Sequence, residues 1–231
     1  MQVDKKIDRF FVLNRKWLII FFLISISRIT YILMSNNITN DSLFYLNIAD
    51  NIKNGFGFSY TDQSGNLVKV FDGYFPGYPF FIYLTKILGF GNKINIVIVS
   101  LLTSASIIYL TRTLYNTFLK EKYIYLTTII LGLSPLGIGF SRWILIEPIL
   151  YIFSILLLTE FIKLKYNPKK LGGIILRIFL FSILSIYFKP TMFIFIIPHF
   201  IILLTNYGLK KIFKFFILYS LCLSLSIIPW G

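Results

Sequence analysis

Residues 94–111 read INIVIVSLLTSASIIYLT, eighteen positions without a charged side chain. A helix that crosses the hydrocarbon core of a bilayer needs about 20 mostly apolar residues, so this stretch predicts a transmembrane helix. Three more stretches contain no charge: 123–141, 190–209 and 215–231. Another three carry charge near one end: 17–34, 148–164 and 171–188. The sequence therefore predicts an all-α, polytopic bundle of about seven spans, forming one domain over 1–231.

The composition excludes a soluble globular protein. The chain has 231 residues, of which 57% are hydrophobic and 14% are charged, whereas a soluble domain carries about 25% charged residues. The net charge of +14 would suggest a nucleic-acid partner in a soluble protein. Here the bases cluster at the ends of apolar runs, which is typical of the cytoplasmic loops of membrane proteins. We therefore expect membrane lipid as a partner and no nucleic acid.

The distribution of lysine and arginine predicts the orientation. Segment 76–91 is apolar, but it begins with Pro76 and Pro79 and has only about 16 residues, fewer than a span needs. With this segment outside and the N-terminus in the cytoplasm, 16 of the 23 bases lie inside. If the segment crossed, the basic loops that follow would face outward, against the positive-inside rule. Residues 35–91 then form the first outer loop, and we expect the plasma (inner) membrane if the protein is bacterial.

Five of the nine acidic residues lie on the outer side in this arrangement. They are Asp41, Asp50, Asp62, Asp72 and Glu147. The only cysteine is Cys222 and the only histidine is His199, which excludes a metal site built from several of these residues. We expect His199 to form a hydrogen bond between helices. The sequence predicts no metal, although the acidic loop leaves a divalent cation as an open alternative.

A short helix is predicted at 41–54, with Asp41 as its N-cap and Gly55 as its stop. At 100° per residue, one face is apolar and the opposite face carries Asn47, Asp50, Asn51 and Asn54. This pattern is typical of a helix that lies in the membrane interface. The Gly- and Asp-rich stretch that follows, from Gly55 to Gly65, predicts a turn or hairpin.

Several short motifs occur in a recognisable order. An acidic residue (Asp41) follows the first span, with Tyr45 four positions on and an Ala-x-x-apolar-x-x-Gly-x-Gly helix end after it. Pro-Gly-Tyr-Pro then opens an apolar helix at 76–79. Further along come Ile-Glu-Pro at 146–148, Lys-Pro at 189–190 and Pro-Trp at 229–230. Together these motifs resemble the GT-C superfamily of membrane glycosyltransferases, in the branch of protein O-mannosyltransferases and lipid A aminoarabinose transferases.

The resemblance implies transfer of a sugar from a polyprenyl-phosphate carrier to a lipid, glycan or protein acceptor, with inversion, in cell-envelope glycosylation. It implies that Asp41 is the general base, and we expect Glu147 as a second catalytic residue. The expected substrate-binding residues are Tyr45, Asp72, Tyr78, Arg142 and Lys189. No cofactor is expected beyond the lipid-linked sugar, which is a co-substrate. Relatives often have a basic residue before Pro-Gly-Tyr-Pro, where this chain has Tyr74 and Phe75.

Each site residue also has a structural alternative. For Asp41 the alternative is the N-cap alone, worth about 1 kcal/mol, and for Glu147 it is a position among lipid headgroups. For Asp72 it is a solvated turn, and for Arg142 and Lys189 it is extension to the headgroups. For Tyr45 and Tyr78 it is an interfacial aromatic belt instead of stacking on sugar or prenyl units.

Two other functions remain open from the sequence: a subunit of a transporter or flippase, and a membrane protein or fragment without activity. A transporter is expected to carry acidic residues near the bilayer midplane and paired broken helices. Here the acids concentrate outside, and Pro135 gives the only such break. Since relatives continue beyond the position of Gly231, we expect the chain to be the N-terminal part of such an enzyme, or to need a partner chain that completes it.

Overall fold

The computed structural model describes residues 2–34, 38–70, 76–118, 121–141, 143–166 and 171–207, together with 213, 217 and 220. The chain is mostly helical. Its helices are α1 (Gln2–Met34), α2 (Asn40–Lys53), α3 (Gly77–Ile87), α4 (Asn92–Thr117), α5 (Glu121–Gly132), α6 (Pro135–Ser141), α7 (Glu147–Tyr166), α8 (Leu171–Phe188) and α9 (Ile197–Tyr207). A 3₁₀ helix, Pro190–Ile196, leads directly into α9. Two short strands, β1 (Ser59–Thr61) and β2 (Leu67–Lys69), form an antiparallel hairpin.

Four helical segments within the described residues are long and apolar enough to cross a membrane. They are Arg15–Met34, Asn92–Thr117, Leu171–Phe188 and Pro190–Tyr207. These agree with four of the seven predicted spans. The predicted span 148–164 forms the 20-residue helix α7, which is more charged, and the predicted span 215–231 lies almost entirely outside the described residues.

Helices α4 and α7 pack side by side and run in the same direction. Near their starts, Ile96 and Ile149 belong to one buried cluster, and near their ends Leu110 and Ile162 belong to another. Because α4 and α7 are parallel, the segment between them must return the chain to the end of the bundle where α4 began. Helices α5 and α6 make this return, and they measure about 18 and 10 Å at 1.5 Å per residue.

The predicted span 123–141 is not one continuous helix. It consists of α5 and α6, with a break at Leu133 and Ser134. Pro135 lacks the N–H that would bond the carbonyl of Leu131, so α5 does not continue through it and the carbonyl of Gly132 lies at the end of the helix. The guanidinium of Arg28 supplies donors instead, with Nε 3.2 Å from the Gly132 oxygen and Nη1 3.1 Å from the Gly137 oxygen. Arg28 is fully buried, so its guanidinium bonds these carbonyls inside the bundle.

Helices α2 and α3 and the hairpin all lie at one end of the bundle, which we call the hairpin end. Helix α1 ends there and α4 begins there, since Ile32 and Ile96 share one buried cluster. The chain between α1 and α4 therefore starts and finishes at the same end. The 11-residue helix α3 is only about 16 Å long, too short to cross a bilayer.

The start of α2 differs from the prediction. The N-cap is Thr39, whose Oγ1 accepts the N–H of Ser42 at 3.1 Å, while the Ser42 Oγ accepts the N–H of Thr39 at 3.2 Å. This reciprocal capping box leaves Asp41 in the first turn, without a capping role. The helix ends as predicted near Gly55, which has a φ of +83° that only glycine adopts without strain.

The hairpin covers the polar face of α2 at Asn47 and Asn51, whereas Asp50 and Asn54 on the same face remain exposed. The side-chain amide of Asn47 accepts the N–H of Thr61 at 2.8 Å and donates to its carbonyl at 3.3 Å. The amide of Asn51 donates to the carbonyl of Ser59 at 3.1 Å. These two asparagines therefore hydrogen-bond the outer edge of β1 in the way that a neighbouring strand would.

Candidate functional site

Two tyrosines join the elements of the hairpin end. The rings of Tyr45 on α2 and Tyr78 on α3 meet edge to face, with centroids 5.0 Å apart. Both belong to a buried cluster that also contains Ile146 and Ile149, which flank Glu147 at the start of α7. The sequence-predicted residues Tyr45, Tyr78 and Glu147, far apart in the chain, therefore come together in the fold.

Gly77 brings the end of α8 close to α3. A Cβ atom at Gly77 would lie 2.9 Å from the carbonyl oxygen of Tyr187 and 3.0 Å from Cα of Phe188, both of which are backbone atoms. Only glycine permits this approach. Lys189, the next residue after Phe188, is half-buried and makes no ion pair with a described residue. Lys189 therefore follows directly on the segment that packs against the start of α3.

Asp41 is exposed, and no described residue forms a salt bridge or hydrogen bond with its carboxylate. It lies one helical turn before Tyr45, so the two side chains share a face of α2. Because Thr39 and Ser42 complete the cap, the structural alternative of Asp41 as N-cap no longer accounts for an acid at this position. Glu147 is also exposed, as the first residue of α7, and no described cation pairs with it.

The hydroxyl of Tyr78 stays protonated in this surrounding. Burial raises the pKa of Tyr78 well above its ordinary value, and the nearby Tyr45 and the negative charge of Glu147 raise it further. The side chain is only 1% exposed, so neither face of its ring is open for stacking on a sugar. Tyr45 is 9% exposed, so its ring also has little surface open to a ligand. Both rings serve packing, and the roles of these residues toward a substrate remain predictions.

Two further predicted site residues, Asp72 and Arg142, lie outside the described residues. The structure brings three of the seven together, Tyr45, Tyr78 and Glu147. Asp41 lies one helical turn before Tyr45, and Lys189 follows Phe188, whose backbone lies against Gly77. We call these five the candidate site. It contains two carboxylates, one cation and a protonated hydroxyl. That set can accept a proton from a hydroxyl group, donate hydrogen bonds and offer a positive charge to an anion.

An apolar groove, which the sequence did not predict, begins one turn below the candidate site. Tyr151, Ser154 and Leu158 follow Glu147 at i+4, i+7 and i+11, on one face of α7. They line a cavity of about 320 Å³ between α7 and the 3₁₀ helix and α9. Ile155, Phe161, Phe195, Pro198 and His199 complete its lining. The groove is open along the side of the bundle, because Leu158 and Phe195 are exposed.

His199 forms the bond between helices that the sequence predicted. Its Nε2 lies 2.8 Å from the carbonyl oxygen of Leu157 on α7, and its Nδ1 lies 2.8 Å from that of Phe195. The imidazole also meets the ring of Phe161 edge to face. His199 therefore holds α9 against α7 at the wall of the groove.

A second polar cluster lies toward the other end of the bundle. Glu160 on α7 is fully buried, with one oxygen 2.9 Å from the guanidinium of Arg177 on α8 and the other 3.2 Å from Nζ of Lys163. The hydroxyl of Tyr109 on α4 donates to it at 2.5 Å and also contacts Lys163. The sequence indicated this cluster only through Glu160, an isolated acid three positions before Lys163 within an apolar stretch. The cluster joins three helices and carries no unpaired acid.

No family model, no curated protein and no solved structure matches this chain. What the chain itself shows is a helical protein with four helices suited to a membrane and a polar site at one end of the bundle. Among the described residues, no group of three or more Cys, His, Asp or Glu side chains is placed to hold a metal ion.

Proposed function

We propose that this protein is a glycosyltransferase that moves a sugar from a polyprenyl-phosphate carrier to an acceptor hydroxyl at the hairpin end. The observation that carries this proposal is the continuity between the candidate site and the groove along one face of α7. A substrate with a polar head and a long apolar chain fits this arrangement. Its head would lie beside Glu147, and its chain would pass Tyr151 and Leu158 toward the lipid.

In this proposal the Asp41 carboxylate removes the proton from the acceptor hydroxyl as that oxygen attacks C1 of the sugar. A new bond forms between C1 and the acceptor oxygen while the bond between C1 and the phosphate oxygen breaks. The electron pair of that bond leaves with the polyprenyl phosphate. The ammonium of Lys189 stabilises the negative charge that develops there. Attack from the side opposite the phosphate inverts the configuration at C1.

The proposed orientation places the hairpin end outside the cell and the N-terminus in the cytoplasm. The excess of lysine and arginine in the loops of the opposite end supports it. Seven crossings are part of the same proposal, with α5 and α6 together forming one interrupted span, α7 another, and residues 215–231 the last. The break at Pro135 is tolerated within a membrane because Arg28 satisfies the carbonyls it exposes.

Replacement of the proposed base tests the function. We expect Asp41→Asn to lower the transfer rate at least about 100-fold, because general base catalysis contributes about 10² to 10⁴. The assay follows radiolabelled sugar from synthetic polyprenyl phosphates into products made by the purified protein, with an extract of its native membrane as acceptor source.

Asp62→Asn is the matched control for this experiment. Asp62 also lies at the hairpin end, but its carboxylate accepts the N–H groups of Ser64 and Asn66 within the turn, which an asparagine oxygen can also accept. We expect Asp62→Asn to transfer at the wild-type rate. Equal rates for Asp41→Asn and the wild type would contradict the role of Asp41.

A further inference from the structure

The polar cluster around Glu160 carries one more positive charge than negative charge. The carboxylate of Glu160 is fully buried and pairs with Arg177 at 2.9 Å and with Lys163 at 3.2 Å. The hydroxyl of Tyr109 donates to the same carboxylate and adds no charge. Among the residues that the structure describes, no second acid pairs with either cation. One positive charge of this group, which we call the Glu160 cluster, therefore has no counterion in the described part of the chain.

This charge lies inside the apolar length of the helices. Glu160 is six residues from the end of α7, and Arg177 is six residues from the start of α8, so both lie about 9 Å from these helix ends. Helix α8 is one of the four that are long and apolar enough to cross a membrane. An ionised group at such a depth is costly unless it is paired or reaches the headgroups. An anion supplied by the membrane itself would compensate for the charge.

Both cations can be reached from the side of the bundle. The side chains of Lys163 and Arg177 are 22% and 38% exposed, whereas that of Glu160 is inaccessible. Leu176 and Leu180 lie on the same side of α8 as Arg177, and both are exposed. In a bilayer such an apolar surface contacts lipid chains. The cations therefore open toward lipid and not toward the candidate site.

The guanidinium of Arg177 extends toward the start of α8. Helical side chains tilt toward the N-terminus of their helix, and a Cβ at Gly173, one turn earlier, would lie 3.5 Å from Nη1 of Arg177. Gly173 has no side chain that could cover this guanidinium. Because α8 ends against α3 at the hairpin end, its start lies at the opposite end of the bundle. The guanidinium therefore points to the headgroups of the leaflet at that end.

We propose that Arg177 and Lys163 bind the phosphate group of an anionic phospholipid from this leaflet. A guanidinium and an ammonium can only donate hydrogen bonds, and the oxygens of a phosphodiester accept them. The negative charge of the lipid compensates for the surplus charge of the Glu160 cluster, and its acyl chains lie along Leu176 and Leu180. Basic sites between transmembrane helices bind lipid phosphates in this way. The inference does not depend on sugar transfer, because the Glu160 cluster is separate from the candidate site.

The test measures the dissociation constant for the first bound lipid by native mass spectrometry of the purified protein. The probes are phosphatidylglycerol, which has a net negative charge, and phosphatidylcholine, which has the same phosphate but no net charge. We expect the wild type to bind phosphatidylglycerol more tightly. Arg177→Gln should weaken the binding of phosphatidylglycerol about tenfold or more, because it removes a charged donor, and should leave that of phosphatidylcholine nearly unchanged.

Lys165→Gln is the matched control for this experiment. Lys165 is exposed near the same end of α7, and its ammonium lies over the ring of Tyr166. The substitution removes the same charge without altering the Glu160 cluster, so the affinity for phosphatidylglycerol should stay near the wild-type value. Equal losses in Lys165→Gln and Arg177→Gln would overturn the inference, because they would show attraction by the overall charge alone.

Glu160→Gln distinguishes a lipid site from a cluster that only holds the helices together. The substitution leaves both cations and removes the negative charge that competes with the lipid, so phosphatidylglycerol should bind about fivefold more tightly. An unchanged or weaker affinity would overturn the inference, whether or not Arg177→Gln folds. Displacement of phosphatidylglycerol from the wild type by inorganic phosphate, at constant ionic strength, would also overturn it, because the site would then take a soluble anion.

Discussion

At the scale of single residues, two acidic side chains of this protein form ion pairs in opposite environments. The Glu160 carboxylate is fully buried between Arg177 and Lys163. The Asp50 carboxylate is half exposed, and its oxygen lies 2.5 Å from Nζ of Lys86. Surface pairs contribute about 0–1 kcal/mol, whereas loss of one partner from a buried pair leaves a charge uncompensated and costs more.

The neutral variants of the two acids should therefore differ in stability. We expect Glu160→Gln to lower the free energy of unfolding by about 1–3 kcal/mol, less than for a fully enclosed pair because Arg177 and Lys163 partly reach solvent. Asp50→Asn should cost less than about 1 kcal/mol. Thermal unfolding of the detergent-purified variants measures the difference. Equal losses would show that burial of Glu160 does not determine its contribution.

Some of the important residues could be identified from the sequence, and others could not. Asp41 and Tyr45 could be identified as candidate site residues because they follow the first span at the spacing of the motifs quoted above. The pairing of Glu160 with Arg177 and Tyr109 could not be predicted, because it depends on which three helices pack together. The capping role assigned to Asp41 was wrong because Thr39, two residues earlier, forms a better cap with Ser42.

At the scale of elements, the contact between α3 and the end of α8 determines the shape of the candidate site. Pro76 and Gly77 open α3, and Gly77 lies against the backbone of Tyr187 and Phe188. The motif Pro-Gly-Tyr-Pro was recognisable in the sequence, but the reason for its glycine was not. That reason is a tertiary contact, since no feature within residues 76–79 indicates that another helix end lies nearby.

A methyl group at Gly77 should separate these two elements. We expect Gly77→Ala to lower the free energy of unfolding by about 1–3 kcal/mol, because overpacking forces the backbone to move. Sugar transfer should fall as the end of α8, and Lys189 after it, moves away from α3. Gly91→Ala is the control, because a Cβ there meets no atom within 4 Å and the φ of Gly91 is −74°. Similar unfolding temperatures for the two variants would contradict the close approach.

At the scale of the whole molecule, the long apolar stretches with few charges predicted a helical membrane protein, and the helical fold with four suitable helices agrees. The interruption of the span at 123–141 was visible only as Pro135. The return of the chain between α4 and α7 follows from the predicted span at 123–141. The packing of α4 against α7 was not visible, since helix packing depends on contacts between distant segments. The groove likewise arises from two helices that are separated by α8 in the sequence.

The proposed orientation makes a prediction about accessibility. In a Cys222→Ser background, Ser64→Cys in the hairpin should react with a membrane-impermeant maleimide on intact cells. Lys165→Cys, near the end of α7, should react only after the cells are opened, because α7 runs away from the hairpin end. Both positions are exposed. The reverse labelling pattern would contradict the orientation.

The central claim, that this chain transfers sugar from a lipid carrier, is tested most directly by following the carrier itself. The measurement is the amount of radiolabelled glucose, mannose, galactose or aminoarabinose that remains on polyprenyl phosphate in liposomes containing the purified wild-type protein and native membrane extract. The proposed function predicts that at least one of these donors is consumed over time, relative to liposomes containing Asp41→Asn. Donor levels that stay equal in the two preparations, for every sugar, would contradict it.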